Sequence, residues 1–151
     1  MEGSNGKAGP ILMIMLYTNV LSAMMRIAGE PVVERWFDAQ PPESVWTTTI
    51  TIFEICFGLT LLAPGRRRDR LCDAFDRAID EILGGRVLPF DRTAAETAAA
   101  IAAKQRQIGH PVEIRDVQIA GIALARKASL ATRNTRHFRG LGIILIDPWQ
   151  A

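Results

Sequence analysis

Apolar residues run unbroken from Ile11 to Leu16 and stop at Tyr17-Thr18-Asn19, with a helical pattern directly behind. A short apolar run without polar alternation suits a strand buried on both faces, as in a parallel sheet. Thr18 and Asn19 are good helix N-caps. The junction therefore sits at the carboxyl end of a central strand, where open α/β sheets place their chemistry. Tyr17 is expected to be the first exposed position after the strand, where a hydrolase of this design wants a carboxylate.

The rest of the chain alternates in the same way. Val20 to Ala28 predicts a short helix closed by Gly29, and Pro31 opens a second one whose Val32, Val33, Trp36 and Phe37 face the core. Pro41-Pro42 ends it, and Val45 to Thr49 is a β-branched and aromatic second strand. Thr49 or Thr51 caps the next helix, TIFEICFGLTLLA, which is apolar almost all round and so is expected to be buried. Glu54 is its only ionisable residue. A buried carboxylate without a partner costs several kcal/mol, so Glu54 needs a cation, a metal or solvent, an arginine salt bridge being the plain alternative.

Beyond Pro64-Gly65, Arg67 to Leu83 is amphipathic, with Leu71, Phe75, Ile79, Ile82 and Leu83 on one face, and Gly84-Gly85 stops it. Arg86 to Phe90 is a third strand. Asp91 and Thr93 cap an Ala-rich helix over Ala94 to Ile108, and His110 falls in the loop behind it as a surface residue. Arg115 or Asp116 begins a helix that ends at Lys127, with Ile119, Ile122 and Ala123 inward. Asp116 in its first turn suits the helix dipole. Ser129 to Thr132 and Gly142 to Ile146 are the fourth and fifth strands, with Arg133-Asn134-Thr135 as the turn between them and Asp147-Pro148-Trp149 closing the domain. Strands alternating with helices imply right-handed crossovers and a parallel sheet covered on both faces.

Composition adds limits. The 151 residues suit one domain, expected over residues 11–151 behind a flexible, Gly-rich leader over residues 1–10. With 48% apolar and 23% charged residues the chain is an ordinary globular one, which argues against disorder. The net charge of +2 says little about partners. Arg66, Arg67, Arg68 and Arg70 form one basic cluster, expected to be a solvated face, and Arg133, Arg136, His137 and Arg139 form another beside the candidate site. Cys56 and Cys72 lack metal-ligand spacing and are expected to be buried free thiols. No apolar stretch approaches the ~20 residues needed to span a bilayer, so a cytoplasmic chain with no membrane partner is expected.

Tyr17 and Asn134 each follow a strand at its carboxyl end, while Glu54 and Asp116 each lie near the start of a helix over such an end. Two acidic groups around a crevice suit a hard divalent cation, which takes oxygen ligands and can generate hydroxide for in-line displacement at a phosphodiester. Spacing alone does not define an enzyme. Neither GxxxxGK[ST] nor GxGxxG follows any strand, which disfavours a nucleotide-binding or phosphoryl-transfer domain.

The segments LYTNVLS, TTTITIFEICFGL, RVLPFD, RDVQIAGIALARKASLATRNTRHF and DPW, in that order, resemble the PIN domain, specifically the VapC/FitB-like toxins of type II toxin–antitoxin systems. The resemblance covers nearly the whole chain from Ile11. It implies a three-layer α/β/α sandwich with a mostly parallel sheet of four to five strands. It also implies an endoribonuclease with four acidic positions around Mg2+ or Mn2+. Those positions correspond here to Tyr17, Glu54, Asp116 and Asn134, with Asp116, Glu54 and the Tyr17 position at the metal. Thr132 resembles the family's site threonine, Thr18 and Asn19 match residues that shape the first turn, and Arg133 and Arg136 are placed to hold RNA phosphates. The implied partners are the RNA substrate, a cognate VapB-like antitoxin, operator DNA only through that antitoxin, and a second copy in a homodimer. Tyr17 departs from the pattern. A phenol with a pKa of about 10 cannot supply a carboxylate's charge at neutral pH, and its ring intrudes on the space of metal and water. Asn134 is the milder change. The expectation is a ribonuclease toxin silenced at Tyr17, or a dead homologue that keeps only its antitoxin-binding role.

Overall fold

A computed structural model describes residues 12–26 and 29–151. The leader, the start of the first strand at Ile11 and the end of the first helix at Ala28 lie outside the described residues. Strand β1 (Ile14–Leu16) is central. It is followed by α1 (Thr18–Met25), α2 (Pro31–Asp38), β2 (Val45–Thr48), α3 (Thr49–Leu61) and α4 (Arg66–Arg77). Then come β3 (Val87–Leu88), α5 (Arg92–Gln107), α6 (Ile114–Arg126), β4 (Ser129–Ala131) and β5 (Leu145–Ile146). The five strands lie in the order β3-β2-β1-β4-β5 and every pair is parallel, with Ile14 opposite both Val45 and Ser129. Helices cover both faces, as the sequence predicts.

Strand alternation divides the core in two. Ile14 and Leu16 join Val20, Leu21, Val33 and Val45 on one face. Met15 and Tyr17 join Ile119, Ile122, Leu130 and Phe138 on the other. Tyr17 is therefore not an exposed residue. It is 9% exposed, because its N–H still donates to Ala131 O at 2.9 Å and its ring continues the strand's period of two.

The element ends differ from their sequence patterns for local reasons. Thr18 and Asn19 do not cap α1. Tyr17 holds the cap position without a side-chain bond, and both polar residues lie inside the helix. Thr48, rather than Thr49 or Thr51, caps α3 by accepting from Thr51 N at 3.1 Å, while Thr49 Oγ1 accepts from Phe90 N. The helix predicted over Arg67 to Leu83 widens into a π turn at Ala78–Ile82, closed by Leu83 N–H to Ala78 O. Pro89 has no N–H for the ladder, which cuts β3 to two residues. The largest departure is α3. Its apolar sequence predicts burial, yet Phe53, Phe57 and Leu61 are 59, 51 and 71% exposed, because only the Thr51 and Ile55 side reaches the core. The two phenyl rings stack on each other at 6.1 Å. Cys56 and Cys72 are free but half-buried rather than buried. None of the helices described is long and apolar enough to cross a membrane.

Candidate functional site

The carboxyl ends of β1, β2 and β4 bring the polar residues together. α6 begins with Glu113 at its cap, where Glu113 Oε2 accepts from the N–H groups of Arg115 and Asp116 at 2.9 and 3.3 Å. That turn aims Asp116, 5% exposed, at the end of β1. There the Tyr17 hydroxyl donates to Asp116 Oδ1 at 2.8 Å across 99 residues of sequence. The Tyr17 ring meets Phe138 edge to face, 5.4 Å between centroids. On the other side of the carboxylate, His137 Nδ1 lies 3.3 Å from Asp116 Oδ2.

Glu54, from the second turn of α3, accepts the Thr18 hydroxyl at Oε2, 3.0 Å away. Its Oε1 is buried with no hydrogen-bond partner, so the salt bridge expected as the plain alternative is absent among the described residues. Asn19 Oδ1 accepts from Arg133 N–H at 3.3 Å, and Thr132, fully buried, accepts the N–H of Asn134 at 3.0 Å. The residues of the first turn thus tie α1 to the site instead of capping it. Asn134 is exposed, and its side chain makes no hydrogen bond among the described residues. The Arg133 guanidinium sits over the Trp149 ring, 4.9 Å from its centroid, whereas Arg136 opens onto a cavity beside Asp116.

Electrostatics follow from burial. Desolvation, the hydrogen bond to Asp116 and the charges of Asp116, Glu54 and Glu113 push the Tyr17 phenol well above its usual range, so it stays protonated. Desolvation also raises Glu54 above the ordinary carboxylate value, against the pull of the Thr18 hydroxyl and Arg115. A divalent cation fits this donor set poorly. Glu54 Oε1 is the unpartnered oxygen such an ion would satisfy. However, the Tyr17 proton already occupies Asp116 Oδ1, and no group of three His, Cys, Asp or Glu among the described residues is arranged to hold a metal. As arranged, the residues do not fit the ion.

Three further residues border this centre, of which Glu113 and His110 had no place at the site in the sequence. His137, Glu113 and His110 all line the cavity beside Asp116. His137 was visible only as part of a basic cluster. Glu113 carried the one usable signal, an acidic residue just before an apolar helical repeat.

A five-stranded parallel α/β domain with one buried and one half-buried carboxylate at the carboxyl edge of its sheet defines the class. Residues 14–143 match the PIN domain family, and the chain belongs to it. It is 39% identical over 139 residues to the plasmid stability protein StbB of Pseudomonas syringae pv. tomato, covering 92% of this chain and all of that protein. It is 35% identical to the VapC ribonuclease Y4jK of Sinorhizobium fredii over 91% of this chain and 99% of that one. The crystal structure of FitAcB from Neisseria gonorrhoeae matches with a TM-score of 0.83 at 31% identity, covering 92% of this chain and 100% of that chain. A structure of FitAB bound to an IR36 DNA fragment matches with a TM-score of 0.82 at 31% identity, covering 91% and 96%.

Proposed function

We infer that this chain is the toxin-side member of a VapC/FitB-like toxin–antitoxin pair in which Tyr17 closes the endoribonuclease centre. The observation that carries the reading is the buried 2.8 Å hydrogen bond from Tyr17 to Asp116, at the position where the family's first carboxylate belongs. Asp116 and Glu54 keep the acidic part of that centre, with Thr18, Asn19 and Thr132 holding its turns, and Asn134 and Arg136 at its rim. Arg133, stacked on Trp149, orients the turn that carries them. The family's Mg2+ or Mn2+ chemistry belongs to the form with aspartate at position 17.

A binding role remains for the chain as it stands. The exposed apolar strip of Phe53, Phe57 and Leu61 on α3 supports contact with a partner chain, since such strips mark interaction sites. The partner is a VapB-like antitoxin, through which the pair meets operator DNA, on a homodimer of this chain in the cytoplasm. The relatives' names, among them a VapC ribonuclease and a FitAB complex on DNA, support this assignment.

The test is RNA cleavage in Mg2+ by this chain and by its Tyr17→Asp variant. The expected result is an inert parent and a variant that cuts. A parent that cuts as well as the variant overturns the silencing, and a variant that folds, binds metal and stays inert overturns the ribonuclease ancestry.

A further inference from the structure

The outward side of α4, continued by the π turn behind it, carries a stripe of charge. Arg66, Asp69, Arg70, Asp73, Asp76, Arg77 and Asp80 are all exposed, and none of them makes a hydrogen bond or ion pair among the described residues. The stripe runs about 20 Å along the helix. Within one chain the arrangement is poor. Arg66 lies four residues from Arg70, and Asp69 four from Asp73, a spacing at which like charges repel. Opposite charges three residues apart, such as Arg66 and Asp69, do not close into pairs.

The order of signs is nevertheless regular. Counted outward from Asp73, the spacing is the same in both directions, and each step meets the opposite sign: Arg70 against Asp76, Asp69 against Arg77, Arg66 against Asp80. A stripe of this kind is complementary to itself when turned end for end. A run of a single sign would suit any polyanion or polycation, whereas this order suits its own copy.

We propose that the outward face of α4, from Arg66 to Asp80, is an antiparallel interface with a second copy of this chain. With Asp73 on a two-fold axis, Arg66 faces the partner's Asp80, Asp69 the partner's Arg77 and Arg70 the partner's Asp76. The axis generates each of these pairs twice, as in any isologous contact. Asp73 alone meets its own copy, and there the partner's Arg70 and Arg77 flank it. Single exposed ion pairs contribute little and are screened by salt, while several on one axis act as a network. The contact is therefore labile to salt, and it does not draw on the apolar strip of α3. This gives the homodimer of the reading above its face, and it rests on that reading for the existence of a dimer alone.

The experiment is sedimentation equilibrium of the full chain at about 50 mM and about 500 mM NaCl. The parent is expected to dimerise at low salt, with an association constant roughly tenfold lower at high salt. Arg66→Glu with Arg70→Glu, and separately Asp76→Arg with Asp80→Arg, are each expected to be monomeric, because each sets like charges face to face. All four positions are exposed, so both variants should keep the parent's circular dichroism. Mixed in equal amounts, the two variants are expected to form a heterodimer as tight as the parent's dimer, since every complementary pair returns. The proposal is overturned if the parent is monomeric at low salt, if its dimer is indifferent to salt, or if either variant dimerises as the parent does. A folded pair of variants that stays monomeric when mixed overturns it as well. So does lost antitoxin capture with self-association unchanged, which would make the stripe an antitoxin seat. RNA cleavage is scored separately. An inert Tyr17→Asp variant leaves the interface standing, and a failed interface leaves the silenced-toxin reading standing.

Discussion

Tyr17 answers a charge problem that aspartate at the same position would make worse. The pleat of β1 drives side chain 17 into the face that also receives Asp116, so a third carboxylate there adds a negative charge that needs a cation. The phenol replaces that cation with one donated proton and fills the space with a ring packed on Phe138. Tyr17→Phe is expected to cost about 1–3 kcal/mol in urea denaturation, because it leaves Asp116 Oδ1 buried without its donor. An unchanged midpoint would mean that the hydroxyl carries no such burden. Glu54 gives the pH signature. Burial raises its pKa, so the folded chain holds the proton more tightly than the unfolded chain does. The stability it contributes is present below the unfolded value of about 4.5 and is lost as pH rises through the raised folded value. Glu54→Gln is therefore expected to raise the thermal midpoint by about 2–4 °C at pH 8 and to leave it unchanged near pH 4. The identity of the residue directly behind β1 was legible in the sequence. Its burial was not, since a residue directly after a strand carries no mark of whether the ladder extends one bond further.

At the scale of elements, α5 and α6 show the same division. The Ala-rich repeat of α5 and the apolar face of α6 predict both helices within a residue or two of where they lie. What brings them together is Gly121, where an added Cβ would sit 2.6 Å from both the Ala94 carbonyl oxygen and Ala98 Cβ. Gly121→Ala is expected to destabilise the domain by about 2–3 kcal/mol, read by denaturant unfolding, despite alanine's better helix propensity. A neutral or stabilising result would mean that the helices separate freely. The five strands and their parallel sense were legible from short apolar runs alternating with helices. The caps of α1 and α3 were not, because each stretch offered neighbouring threonines or an asparagine with equal local claim. Tertiary partners decided among them: Glu54 for Thr18, Arg133 for Asn19 and Phe90 for Thr49. The exposure of one side of α3 was not legible, because an all-apolar helix looks the same in sequence whether a core or a partner covers it.

The whole molecule combines a closed carboxylate centre, with the cavity beside Asp116 opening onto it, and an exposed apolar strip on α3. The strip predicts that Phe53→Asp with Phe57→Asp leaves the fold intact, both rings being more than half exposed. The same change should abolish co-purification with a co-expressed antitoxin. Retained co-purification would move the partner's seat elsewhere. The centre itself is tested most directly by titration calorimetry of Mn2+ into this chain and into its Tyr17→Asp variant. No saturable heat is expected for the parent and one saturable site for the variant. Equal binding by both would contradict it, because a parent that holds the ion with Tyr17 in place has a centre the phenol does not close.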